Sequence, residues 1–262
     1  MILTGEESRF YTLNFVDSDT DIAASEGQTS VRNMFDYRLN TFWSADTPTG
    51  GAVHTITFQF FSAGQPVQKT FQSMLMLNHN LKAFEFYYYD YVTNNWQAPL
   101  EWQRANSTGD DLIVSQGVYA SDKFRLWIYD TIIPGAIPFI AELFIFQLLG
   151  YIPTYSDFNF ADDLGKGFQR TVDGTGEAWH VWAKKKFSLG WENLDQSEYV
   201  VLKNLYESFN AFMYWSEPFD HLGNPLKFRD IFRVKWNSEW NAKYSSKYKG
   251  GGYSLTAELN EI

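Results

Sequence analysis

The chain of 262 residues contains no cysteine. That excludes a disulfide framework, a thiolate nucleophile and any cysteine-ligated metal, and it fits synthesis in a reducing compartment. Long apolar runs are also missing. The longest, Ile132 to Gly150, is broken by Pro134, Gly135, Pro138, Glu142 and Gln147, so no transmembrane helix is expected. Met1 to Phe10 has no basic stretch followed by an apolar run, so no secretory signal is expected there. Positive charge is scarce: 21 Lys and Arg stand against 31 Asp and Glu, for a formal net charge of -10. An acidic chain repels polyanions and anionic lipid surfaces, which argues against nucleic acid and membranes as partners.

Signatures of catalysis are absent as well. There is no G-x-S-x-G, no P-loop and no nucleotide fingerprint. Gly165-Lys166-Gly167 lacks the preceding glycine and following Ser/Thr that phosphate binding needs. His54, His79, His180 and His221 include no pair at the i, i+4 spacing of a helical metal site. Asp17-Ser18-Asp19-Thr20-Asp21 begins like a calcium loop, but Ile22 stands at the sixth position and Gln28 at the twelfth, where Gly and Glu are required. A polar turn is the expectation there. No catalytic, cofactor-binding or metal residue is assigned, and the chain is read as a non-enzyme. A glycosidase pair of carboxylates depends on spacing in space, which a sequence does not display.

Aromatic residues are abundant, at 19%, with 10 Trp, 16 Tyr and 23 Phe. Interfaces enrich them because they bury large areas at low entropy cost, and strand pairs favour them too. Both readings stay open. Trp43, Trp96 and Trp102 sit beside turn-rich segments. Trp43 is expected in the core. Trp96 and Trp102 are candidates either for the core or for a ligand or interface surface, since an indole face can stack on the apolar face of a sugar ring.

From residue 1 to about 150 the chain reads as short strands separated by turns. His54 to Phe61 alternates Thr55, Thr57 and Gln59 with Ile56, Phe58 and Phe60, the pattern of a half-buried strand. Phe71 to Leu77, Phe84 to Tyr89, Lys123 to Tyr129 and Ala141 to Leu148 are further candidates. Thr47 to Gly51, Asn94-Asn95 and Asn106 to Asp111 carry turn chemistry. Regular short strands without a long amphipathic helix predict a β-sandwich. Gly150 to Pro153 punctuates the chain, and the polar stretch Thr154 to Thr171 is read as a linker, giving domains 1–152 and 153–262.

In the second segment, Trp179 to Leu189 reads as a strand. Asp195-Gln196-Ser197-Glu198 has the spacing of a capping box before a helical stripe of Tyr199, Leu202, Leu205, Tyr206 and Phe209. Phe228 to Trp236 and Tyr253 to Glu261 alternate as strands, the latter after the glycines 250–252. Tyr253, Leu255, Ala257 and Leu259 share one face of that terminal strand, which either closes its own sheet or forms an edge that a neighbouring subunit extends.

Two resemblances follow. Ala23-Ala24-Ser25, Asn33-Met34-Phe35-Asp36, Thr41-Phe42-Trp43-Ser44, Thr55 to Phe58, Asn78-His79-Asn80 and Lys123 to Ile128 resemble the discoidin-type, galactose-binding-like family over roughly residues 20–150. That resemblance implies a jelly-roll sandwich whose loops at one end bind glycans, lipids or proteins. The block from Trp179 to Trp191, the helix after Asn193-Leu194, Phe228 to Trp236 and the ending Gly252 to Leu259 is similar to the tube-type domain of tailed-phage tail and baseplate proteins. That likeness implies ring assembly by sheets continued between subunits.

The fold expected is mainly β: an N-terminal jelly-roll-like β-sandwich followed by a smaller β domain with one packed helix. The function expected is that of a virion structural protein, a tail or baseplate subunit made in the host cytoplasm. Its partners would be copies of itself and other tail proteins. The alternative is a carbohydrate-binding module or adhesin recognising a cell-surface glycan.

Overall fold

The computed structural model describes residues 7–36, 38, 40–50, 53–109, 111–153, 157–170, 176–215, 231–245 and 252–262. Its strands run in order β1 (Glu7–Tyr11), β2 (Asp21–Ala24), β3 (Trp43–Ser44), β4 (His54–Gln59), β5 (Phe61–Ser62), β6 (Gln65–Pro66) and β7 (Lys69–His79). They continue as β8 (Leu81–Asp90), β9 (Asn95–Gln97), β10 (Gln103–Arg104), β11 (Asp111–Ser121), β12 (Lys123–Thr131), β13 (Phe139–Phe146) and β14 (Leu148–Pro153). Two long strands follow, β15 (Asp157–Arg170) and β16 (Gly176–Leu194), then helix α1 (Gln196–Ser208). The last are β17 (Phe212–Trp215), β18 (Ile231–Trp236), β19 (Lys243–Ser245) and β20 (Gly252–Glu261). Among the described residues no helix is long and apolar enough to cross a membrane.

The chain divides into two compact units, Asn14–Leu148 and the combination of Met1–Leu13 with Leu149–Ile262. The first is a sandwich. One sheet runs β10-β8-β12-β4-β2, with β9 on β8, and the other runs β11-β7-β13-β3. The alternation seen in the sequence sets the register. Ile56 and Phe58 of β4, Phe84 and Phe86 of β8 and Phe124, Leu126 and Ile128 of β12 point inward and are fully buried. Met74 and Met76 of β7 and Ile140 and Ile145 of β13 meet them from the other sheet. Gly27 starts a short 3-10 turn, Gln28–Phe35, with φ of 63°, and a Cβ there would meet the Ser44 carbonyl oxygen at 1.9 Å. Only glycine fits that approach.

In the second unit one sheet runs β14-β1-β17-β18-β20-β16-β15, with β19 on β20. Its core joins Phe187, Leu189 and Trp191 of β16 and Leu255, Ala257 and Leu259 of β20 to Leu202 and Leu205 of α1. The capping box forms as the spacing predicts. The Asp195 carboxylate accepts the Glu198 N–H at 2.9 Å, and the Glu198 carboxylate accepts the Asp195 N–H at 2.7 Å. Leu202 and Leu205 are buried, whereas Tyr206 is 38% exposed and lies against Trp236 and Trp240.

Three sequence readings change here. First, β1 belongs to the second unit, because Arg9, Phe10 and Tyr11 pair with Trp215, Tyr214 and Met213 of β17. Second, most of the stretch read as a linker is strand β15, paired along β16 from Asp157↔Gly190 to Arg170↔Gly176. Third, β20 is an interior strand. It pairs with β16 from Lys186↔Asn260 to Leu194↔Tyr253, and its other edge meets β18 and β19. Between those two strands, Ser238 Oγ accepts the Glu258 N–H at 3.1 Å and Asn241 Oδ1 accepts the Thr256 N–H at 3.1 Å. Both edges of β20 are thus used within the chain. Leu255, Ala257 and Leu259 are buried, and Tyr253 stacks on Tyr199 with ring centroids 4.1 Å apart. These four residues close their own sheet and do not form an inter-subunit edge. The segment Phe228 to Asp230 and glycines 250 and 251 lie outside the described residues.

Candidate functional site

The outer face of the six-stranded sheet carries the other half of the strand alternation. On β8 it presents Glu85, Tyr87 and Tyr89, and on β12 it presents Lys123, Arg125, Trp127 and Tyr129, all half-buried. Antiparallel register places Trp127 opposite Glu85 and Arg125 opposite Tyr87. Next to β12, Thr55 and Thr57 of β4 lie opposite Trp127 and Arg125. Side chains directly opposite on one face stand close enough to touch. The Tyr87 and Trp127 rings are 5.0 Å apart and Trp127 and Tyr129 are 6.2 Å apart.

Glu85 sits among these three rings. The Tyr87 and Tyr129 hydroxyls both donate to its Oε2, the latter at 2.6 Å. Burial and that carboxylate push both hydroxyl pKa values up, burial being the larger cause. The two tyrosines therefore remain neutral hydrogen-bonding groups at physiological pH.

Trp96 is placed at one border of this face by a hairpin. Asp90 caps the turn by accepting the Val92 N–H at 2.8 Å and the Thr93 hydroxyl at 2.9 Å, and Asn94 adopts the left-handed region at φ 53°. Trp96 then pairs with Tyr89, packs edge-on to its ring at 5.5 Å, and lies beneath the Arg125 guanidinium at 4.0 Å. Arg125 also donates to Thr57 Oγ1 at 3.1 Å. Trp96 is thus half-buried on a face rather than free at a loop tip.

Trp102 is different. It has no exposed surface and is packed among Phe71, Tyr88, Tyr119 and Phe124. Its ring belongs to the core, so it is not a ligand or interface residue. Trp43 is fully buried as expected, with its indole N–H on the Glu26 carbonyl at 3.1 Å. The Asp17 segment is a polar turn: Asp17 Oδ1 accepts from the Asp19 and Thr20 N–H groups and the Thr20 hydroxyl. Its side chain is consumed inside the turn.

A second polar cluster lies beneath the loop after the 3-10 turn. Glu142 of β13 is only 2% exposed, its Oε1 accepts the Arg38 N–H, and its Oε2 is buried without a hydrogen bond. Thr41 Oγ1 donates to Asp36 Oδ2 at 2.7 Å and stands 3.0 Å from the Arg38 carbonyl. Burial, with the Asp36 charge adding to it, pushes the Glu142 carboxyl up to about 8, against a lowering by the Arg38 N–H. With its pKa raised to about 8, Glu142 is mostly neutral at pH 7 beside the Asp36 charge. No group of three or more His, Cys, Asp or Glu suited to a metal occurs among the described residues.

Sequence reasoning had Trp96 but missed Glu85, Tyr87, Trp127 and Tyr129. The signal was present: aromatic residues at the polar positions of two alternating strands. Glu142 had a signal too, as a lone charge within the apolar run Ala141 to Leu148.

No protein-family model matches the chain, and no curated protein matches it. Among solved structures it is similar to carbohydrate-binding modules over about half its length. Chitosan-binding module 1 of a Paenibacillus chitosanase/glucanase is 12% identical, covers 52% of this chain and 99% of its own, with a TM-score of 0.43. A family 32 carbohydrate-binding module of Clostridium perfringens, solved with galactose, is 10% identical over 53% of this chain and 99% of its own, at a TM-score of 0.40. Chitosan-binding module 2 of the same Paenibacillus enzyme, solved with chitotriose, is 11% identical over 48% and 95%, at 0.39.

Proposed function

We propose that the sandwich unit is a carbohydrate-binding module that holds a sugar chain against the outer face of its six-stranded sheet and catalyses no reaction. The observation that carries this reading is the grouping of Tyr87, Trp127 and Tyr129 around Glu85 on one half-buried face. Aromatic rings offer apolar surface to the C–H face of a pyranose. The carboxylate and the tyrosine oxygens accept hydrogen bonds from its hydroxyls. The decisive test is retention on an array of immobilised glycans by the full chain, then by Trp127→Ala and Tyr87→Ala. Retention by the wild type that both variants lose, with unchanged far-ultraviolet circular dichroism and a cooperative unfolding transition, is the expected result. A blank array for the wild type overturns the reading.

A second reading is a phage tail or baseplate subunit, found in the virion and assembling with itself and with other tail proteins. What favours it is β15, which among the described residues pairs with β16 on one edge and ends the sheet order on the other. A strand edge of that kind is a template for a neighbour's strand. Molar mass in solution tests it: a ring-sized oligomer supports assembly, and a monomer at high concentration, with or without neighbouring gene products, counts against it.

A further inference from the structure

We infer that Glu85 and the rings around it form a subsite for a protonated amine, and that its occupant is the ammonium group of an amino-sugar polymer. The inference rests on the carbohydrate reading and narrows it to a ligand class. Both hydroxyl donors on Glu85, from Tyr87 and Tyr129, go to Oε2. Among the described residues Oε1 accepts no hydrogen bond and pairs with no Lys or Arg. The neighbouring cations are engaged elsewhere. The Arg125 guanidinium lies over Trp96 at 4.0 Å and bonds Thr57. Lys123 lies 5.2 Å from the centre of the Tyr89 ring, and Lys82 stands 3.8 Å from Asp130.

A carboxylate oxygen is therefore left without a protein cation amid three aromatic rings. Ring faces attract a cation within about 6 Å of the centroid, and an ammonium gains most when it also meets a carboxylate. A neutral hydroxyl at the same place gains only an ordinary hydrogen bond. The formal net charge of -10 further favours a polycationic chain over an acidic one. Two substituents of one sugar ring can then act together: the ring stacks on Trp127 while its amine meets Glu85 Oε1.

The experiment is calorimetric titration of the full chain with glucosamine oligomers, their N-acetylated counterparts of matched length, neutral gluco-oligosaccharides and tetralysine, in weakly acidic buffer. The glucosamine oligomer should bind at least about tenfold tighter than the N-acetylated one, a difference of about 1.4 kcal/mol. Glu85→Gln, which keeps an acceptor for the tyrosine hydroxyls, should erase that preference, while Trp127→Ala should weaken every saccharide. Equal affinity for charged and acetylated oligomers, unchanged by Glu85→Gln, overturns the ammonium subsite and leaves the carbohydrate reading standing. Failure of every saccharide to bind removes the carbohydrate reading itself. Tetralysine binding as tightly as the glucosamine oligomer, with the same Glu85 dependence, overturns the sugar as occupant.

Discussion

The Arg125 guanidinium lies 4.0 Å above the centre of the Trp96 indole, so the ring that a loop tryptophan would offer to a ligand is already covered by a cation from the next strand but one. Trp96 and Trp102 therefore separate cleanly by experiment. Trp96→Ala removes one partly exposed cation–π contact and should cost about 0.5–2 kcal/mol. Trp102→Ala empties a fully buried site among four aromatic rings and should cost about 3–5 kcal/mol. Urea unfolding followed by circular dichroism measures both, and equal losses would contradict the distinction.

The helix cap gives a second contrast. Asp195→Ala leaves the Glu198 N–H without its acceptor and should destabilise the second unit by about 0.5–2 kcal/mol. Leu205→Ala should cost about 2–5 kcal/mol, since the side chain is buried against β16 and β20. A Leu205→Ala loss within the range of surface substitutions, about 0.5 kcal/mol, would remove this side chain from the core.

Strand β20 makes the strongest claim about architecture. Because both of its edges pair inside the chain, Leu259→Ala should lower the stability of the isolated chain itself by about 2–5 kcal/mol. Under the inter-subunit alternative the same substitution would leave the monomer's stability unchanged and weaken only association. Unfolding midpoints measured over a range of protein concentrations tell these apart.

Glu142 supplies a pH dependence. Its folded pKa is raised to about 8 from an ordinary 4.5, mainly by burial. Below about 4.5 the group is neutral in both folded and unfolded chains and carries no penalty. As pH rises from there through 8 the unfolded chain ionises first, so the stability of the protein should fall, by at most about 1.4 kcal/mol per pH unit. Glu142→Gln should flatten that slope.

Gly27 offers a test of backbone geometry. With φ of 63° and the Ser44 carbonyl 1.9 Å from a built Cβ, Gly27→Ala must displace β3 or break the turn. A Gly-to-Ala change in strain-free backbone stabilises by about 0.4–1 kcal/mol, whereas this one should destabilise by more than about 1 kcal/mol, as read by thermal unfolding.

The sequence by itself determined the local features whose causes are local. The alternation in His54 to Phe61 and Lys123 to Tyr129 dictated strands with Phe58, Phe124 and Leu126 inward, because a strand's period of two leaves no other face for them. Asp195 and Glu198 dictated a helix start, because the two hydrogen bonds of the box span only three residues. The tertiary structure decided whatever depends on neighbours far along the chain. Trp96 and Trp102 are six residues apart in similar turn-rich surroundings, and only the strands that pack around each make one a core ring and the other a face ring. A terminal alternating strand looks the same at an edge and in the middle of a sheet, and β20 is interior because β16, β18 and β19 flank it. Asp157 to Arg170 is too polar and glycine-rich to announce a strand, yet pairing with β16 makes one. The grouping of Asp36 with Glu142 required a loop to meet β13, and that of Glu85 with Trp127 required the register of strands more than forty residues apart. Such register is set by burial on the opposite face of the sheet, not by the residues that meet on the outer one.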